Sequence, residues 1–127
     1  MEKLVKDFLK QKRFAVVGSF RNETKYAHKI LKTLIIKGYE AYPVNPRHGG
    51  VDGIKCYKSI SDIPFDIDVV NVVTPPSVTE TVVKECRDKF VKRVWLQPGA
   101  ESEEAIKFCQ DNSMDVIHGL CVMLESL

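Results

Sequence analysis

The feature that most constrains this chain is a rhythm. Short apolar runs alternate with longer stretches of helical periodicity. Phe14 to Gly18, Glu40 to Val44, Ile67 to Val73, Arg93 to Leu96 and Met114 to Ile117 read as strands. Between them lie the helical patterns Lys25–Lys37, Val78–Phe90 and Ser102–Asn112. The runs are apolar nearly throughout rather than alternating, so both faces of each strand must be covered. Strands of this kind separated by helices specify an α/β fold. Its core is a Rossmann-like, doubly wound, mainly parallel sheet of five to six strands with helices on both faces.

The elements carry their own boundary signals. Gly38 ends the first long helix, Asn22 or Thr24 is positioned to cap its start, and Pro76 with Ser77 can open the next. Gly49 to Gly53 reads as a turn and Ile54 to Tyr57 as a short strand. Ser59 to Ile63 reads as one helical turn stopped by Pro64. Met1 to Leu9 has an amphipathic helix pattern, and Gly119 to Leu127 has room for a short helix. The expected organisation is one domain over residues 1–127.

Composition narrows the function classes. A hydrophobic content of 44% with 28% charged residues suits a folded chain, and a net charge of +2 gives no case for nucleic acid. No apolar run approaches the roughly 20 residues that span a bilayer. The N-terminus lacks the pattern of a secretory signal, so a cytoplasmic location is expected. Cys56, Cys86, Cys109 and Cys121 form no Cys-x-x-Cys pair, and the three histidines stand apart from them. That spacing argues for reduced, mostly buried thiols and against a metal site.

In doubly wound sheets, ligands bind at the carboxyl ends of the strands beside the switch point. Four loops occupy that edge. The first, Gly18-Ser19-Phe20-Arg21-Asn22, runs from a strand into a helix, where backbone N–H groups and the helix dipole favour an anion. Arg21 and Lys25 add charge. Only one glycine of the nicotinamide fingerprint Gly-x-Gly-x-x-Gly is present. The second loop is Val44-Asn45-Pro46-Arg47, with a cation where NAD-preferring folds carry an acid for the ribose. A cation there suits a ribose phosphate, found in both NADP and coenzyme A. The third loop, Thr74-Pro75-Pro76-Ser77, is a stiff wall with few donors. The fourth is Gln97-Pro98-Gly99, where Gln97 is placed to bond an amide and Gly99 lets backbone approach. Trp95, His28 and His118 read as structural. No catalytic constellation is visible, and Cys121 is the one thiol near a strand end at that edge.

Taken in order, the four loops resemble those of the single-domain coenzyme A-binding protein family. That family is similar to the N-terminal domain of the succinate–CoA ligase alpha subunit. The resemblance runs from about Arg13 to Leu124. It implies that coenzyme A or an acyl-CoA lies across the carboxyl edge. Gly18, Ser19, Arg21 and Lys25 would lie at the pyrophosphate, with Phe20 of the same loop among the ligand-binding residues, and Val44, Asn45, Pro46 and Arg47 at the adenosine and its 3′-phosphate. Thr74, Pro75 and Pro76 would flank the nucleotide, and Gln97, Pro98 and Gly99 the pantetheine arm. Many members carry Asp-Arg-Cys after the last strand, where this chain has Gly119-Leu120-Cys121. The resulting expectation is a binding module that is non-catalytic alone, serving as carrier, sensor or subunit, with a protein partner or a second copy as company. The alternatives are an NADP-binding, reductase-like domain and a thiol protein that forms a mixed disulfide with CoA through Cys121.

Overall fold

A computed structural model describes residues 1–127. Five parallel strands form the sheet: β1 (Arg13–Gly18), β2 (Glu40–Val44), β5 (Val69–Val73), β6 (Arg93–Leu96) and β7 (Asp115–His118). Their spatial order is β2-β1-β5-β6-β7. The order reverses between β1 and β5, which pair from Phe14↔Val69 to Gly18↔Val73. A short antiparallel hairpin, β3 (Gly50–Val51) with β4 (Ile54–Lys55), lies outside this sheet.

Alternating side chains on each strand feed two separate cores. Phe14 and Val16 of β1, Val69 of β5, Trp95 of β6 and Ile117 of β7 face one side. There they meet Val5 and Phe8 of α1 (Glu2–Leu9), Ile30, Leu31 and Leu34 of α2 (Tyr26–Ile36), and Val122 of α5 (Val122–Glu125). Ala15, Val17, Val70, Val72, Val94, Leu96 and Val116 face the other side. That core is closed by α3 (Pro76–Asp88), α4 (Glu103–Asp111) and the 3₁₀ turn Ile60–Asp62. Burial on both faces explains why the strands read as continuous apolar runs. No helix is long and apolar enough to cross a membrane.

Trp95 is fully buried, and its indole N–H donates to the Leu120 carbonyl at 2.9 Å, tying the last loop to the core. His28 is likewise structural, buried in α2 with Nε2 3.0 Å from Asp52 Oδ2 in the hairpin turn.

The boundaries differ from the sequence expectation where side chains bond locally. Neither Asn22 nor Thr24 caps α2. Asn22 Oδ1 accepts from the Thr24 backbone N–H at 2.9 Å, and Lys25, in extended conformation, takes the cap position without a side-chain bond. The third long strand begins at Val69 rather than Ile67. Asp68 meets the start of β1 from just outside the strand: its N–H donates to the Arg13 carbonyl at 2.9 Å and its Oδ2 accepts the Arg13 N–H at 2.9 Å.

Candidate functional site

The site begins at Gly18. A Cβ built there would stand 2.6 Å from Ala27 Cβ and 2.9 Å from the Val73 carbonyl oxygen. Only glycine therefore lets the first turn of α2 and the end of β5 close on β1 together. The turn that follows is open. The backbone N–H groups of Ser19, Phe20 and Arg21 donate to no protein acceptor. These unpaired donors, in the turn that leads toward α2, are available to an anion.

Across the switch point lies the loop after β2. Asn45 holds it in place: Nδ2 donates to the Gly18 carbonyl at 2.7 Å, and Oδ1 accepts the Arg47 N–H at 2.8 Å. Tyr57 adds two backbone bonds, giving its N–H to the Pro43 carbonyl and accepting from the Asn45 N–H. On the β5 side, the buried Thr79 hydroxyl lies 2.7 Å from Thr74 Oγ1 and locks the loop before α3.

These loops surround a groove of about 690 Å³. Of the residues expected at the site, Gly18, Ser19, Arg21, Lys25 and Val44 to Arg47 line it, together with Thr74 and Pro75. The sequence reading missed a second wall. Ile60 in the 3₁₀ turn faces Val78, Val82 and Glu85 of α3, and Lys58 and His48 stand nearby. No local motif marks these residues, because the groove joins segments far apart in the chain.

The electrostatics are one-sided. Arg21, Lys25, Arg47 and Lys58 all line the groove, and none forms an ion pair with the protein. Glu85 is the sole acidic residue in the lining. Burial pushes its carboxyl above the usual range, against a smaller opposing effect of the Ile60 backbone N–H.

The expectation that the Gln97 side chain is free to bond a ligand is corrected. Gln97 is fully buried. Its Nε2 donates to Asn71 Oδ1 at 3.0 Å and its Oε1 accepts the Val122 N–H at 3.0 Å, so the amide joins β5 to the start of α5. Phe20 lies outside the groove lining because its large apolar ring packs into the core, edge-on to His48. Pro76 opens α3, and Pro98 and Gly99 form an exposed turn beyond β6; none of the three lines the groove. Cys121 also stands apart from it, half-buried at the cap of α5, with Sγ accepting from the Tyr26 hydroxyl. Burial, reinforced by that contact, holds the Tyr26 phenol far above its ordinary range.

Residues 12–126 match the CoA binding domain. The chain belongs to this family. Among its relatives, an ADP-forming acetate–CoA ligase of Methanocaldococcus jannaschii is 40% identical over 81 residues. That match takes in 64% of this chain, which spans only 12% of the ligase. The YneT protein of Bacillus subtilis is 32% identical over 119 residues, covering 93% of this chain and 88% of YneT. In three dimensions, a conserved hypothetical protein from Pyrococcus furiosus superposes with a TM-score of 0.86 at 42% identity. It covers 91% of this chain and 99% of its own. A CoA-binding family member with a mainly parallel α/β sheet is therefore what the sequence patterns anticipated.

Proposed function

We propose that this chain binds coenzyme A or an acyl-CoA in the groove at the switch point, and that it does so as a single binding module without catalysing a reaction alone. One observation carries the reading. Ser19 and Arg21, whose N–H groups are unbonded, line a groove that carries four unpaired cations and an apolar wall. Coenzyme A matches both halves: a pyrophosphate and a 3′-phosphate for the cations, and a purine for the apolar wall.

In this reading the pyrophosphate rests on the Ser19–Arg21 turn with Lys25 beside it. Arg47, on the loop that Asn45 fixes, meets the 3′-phosphate. The pantetheine arm leaves along the carboxyl edge toward the backbone of Pro98 and Gly99. A role as carrier, sensor or subunit follows, with any chemistry supplied by a partner protein.

Calorimetric titration with CoA, dephospho-CoA and NADP tests the proposal. CoA is expected to bind, and dephospho-CoA to bind more weakly by about 1.5–3 kcal/mol for the lost charged contact. An Arg47→Ala variant removes most of that difference. Tight binding of NADP with none of CoA overturns the reading.

A further inference from the structure

The groove has one feature that phosphate binding does not use. Val78, Val82 and Glu85 lie at i, i+4 and i+7 of α3, so they share one stripe of the helix. Glu85 is nine residues beyond Pro76, about 13 Å down the axis from the carboxyl edge. It therefore stands at the inner end of the apolar wall, facing the segment that holds Ile60. The slot between them is lined by Val44, Ile60 and Val82, all at most 5% exposed. Glu85 itself is half-buried and forms no ion pair. A carboxylate in this place repels phosphate, which is drawn instead to the cationic rim.

We infer that Glu85 selects the base: the apolar slot takes a planar purine, and the Glu85 carboxylate accepts a hydrogen bond from its exocyclic amine. The inference rests on the nucleotide reading above and names the residue that sets its specificity. An ionised carboxylate only accepts hydrogen bonds. The 6-amino group of adenine donates, whereas the 6-oxo group of hypoxanthine accepts and meets the carboxylate lone pair to lone pair. A site built to satisfy one group rejects the analogue that leaves it unpaired. The apolar surroundings of the slot also exclude water that would compete for this bond.

Glu85 also approaches the Ile60 N–H, so a purely structural role is the competing account. The two part on one ratio: the affinity for CoA against that for its deaminated analogue, in which hypoxanthine replaces adenine. The native protein is expected to favour CoA by about tenfold or more, the scale of one hydrogen bond to a charged group. Glu85→Gln keeps an acceptor for Ile60 and can turn its NH₂ toward a 6-oxo group. It is expected to bind CoA within a few-fold of the native protein while gaining affinity for the analogue, so that the ratio collapses. Glu85→Asp keeps the charge but withdraws it by one methylene, and should weaken CoA several-fold without reversing the preference. Equal binding of CoA and its analogue by the native protein overturns the role of Glu85 and leaves CoA binding intact. An unchanged ratio in Glu85→Gln makes Glu85 structural and also overturns it. Failure of both ligands to bind the native protein removes the CoA reading and this inference together.

Discussion

Asn45 Nδ2 donates to the Gly18 carbonyl at 2.7 Å, a side-chain bond that extends the joining of β2 to β1 into the loop after β2. The loops that hold Arg21 and Arg47 are thus tied by a side chain just beyond the Val17↔Val44 end of the β1–β2 ladder. Asn45→Ala removes that bond and the acceptor of the Arg47 N–H. Each lost bond costs about 1 kcal/mol. The variant should stay folded, lose about 1–2 kcal/mol in urea unfolding, and bind CoA roughly tenfold more weakly because Arg47 is no longer held. Unaltered CoA affinity would show that the tie does not position Arg47.

Gly18 is required by contact rather than by its dihedral freedom. An alanine methyl there meets the Val73 carbonyl at 2.9 Å and Ala27 Cβ at 2.6 Å. Overpacking of this kind costs about 1–3 kcal/mol. Gly18→Ala should lower the urea midpoint by that amount and weaken CoA. Adding Ala27→Gly clears one of the two clashes and should return part of the stability. The same midpoint with and without Ala27→Gly would contradict the contact.

Gln97 stabilises the fold. Gln97→Ala strips the partner from the Asn71 amide and from the Val122 N–H, both inside the protein. Two buried polar groups left unpaired cost about 1–3 kcal/mol each, before the cavity is counted. Denaturant unfolding should register a loss of at least 2 kcal/mol. A loss confined to CoA affinity would instead return Gln97 to the ligand site.

Acid should loosen the amino edge of the sheet. Arg93 Nε lies 2.8 Å from Asp7 Oδ2, and the hydrogen bond from that guanidinium holds the Asp7 carboxyl below its usual range. A depressed native pKa gives stability that is complete above the unfolded aspartate value of about 3.9 and is lost as pH falls through the native one. Glu40 is lowered in the same way by Arg13. Urea midpoints should therefore fall as the buffer is taken below about pH 4, and Asp7→Asn should flatten that fall. An identical acid slope in the variant would contradict the linkage.

The sheet was legible because every strand buries both faces, so Phe14–Gly18 and the later apolar runs announced themselves. The first two loops were legible for the same local reason: Gly18, Arg21 and Arg47 carry their chemistry in consecutive residues. The wall of Ile60, Val82 and Glu85 was not. In sequence it is an ordinary amphipathic helix and an ordinary turn, and only tertiary packing sets them across a slot. Gln97 misled for the opposite reason. It ends a strand at the ligand edge, but α5 folds over that end and claims its amide. Asn22 had the right chemistry for a helix cap and spent it on its own turn at Thr24.

The central claim is that coenzyme A occupies the groove between the Gly18 turn and the Asn45–Arg47 loop. A crystal structure of the protein grown with CoA tests it most directly. The account predicts the pyrophosphate within hydrogen-bond distance of the Ser19–Arg21 N–H groups and the adenine between Ile60 and Val82. CoA bound elsewhere on the molecule, or a groove that stays without it at saturating concentration, would contradict the account.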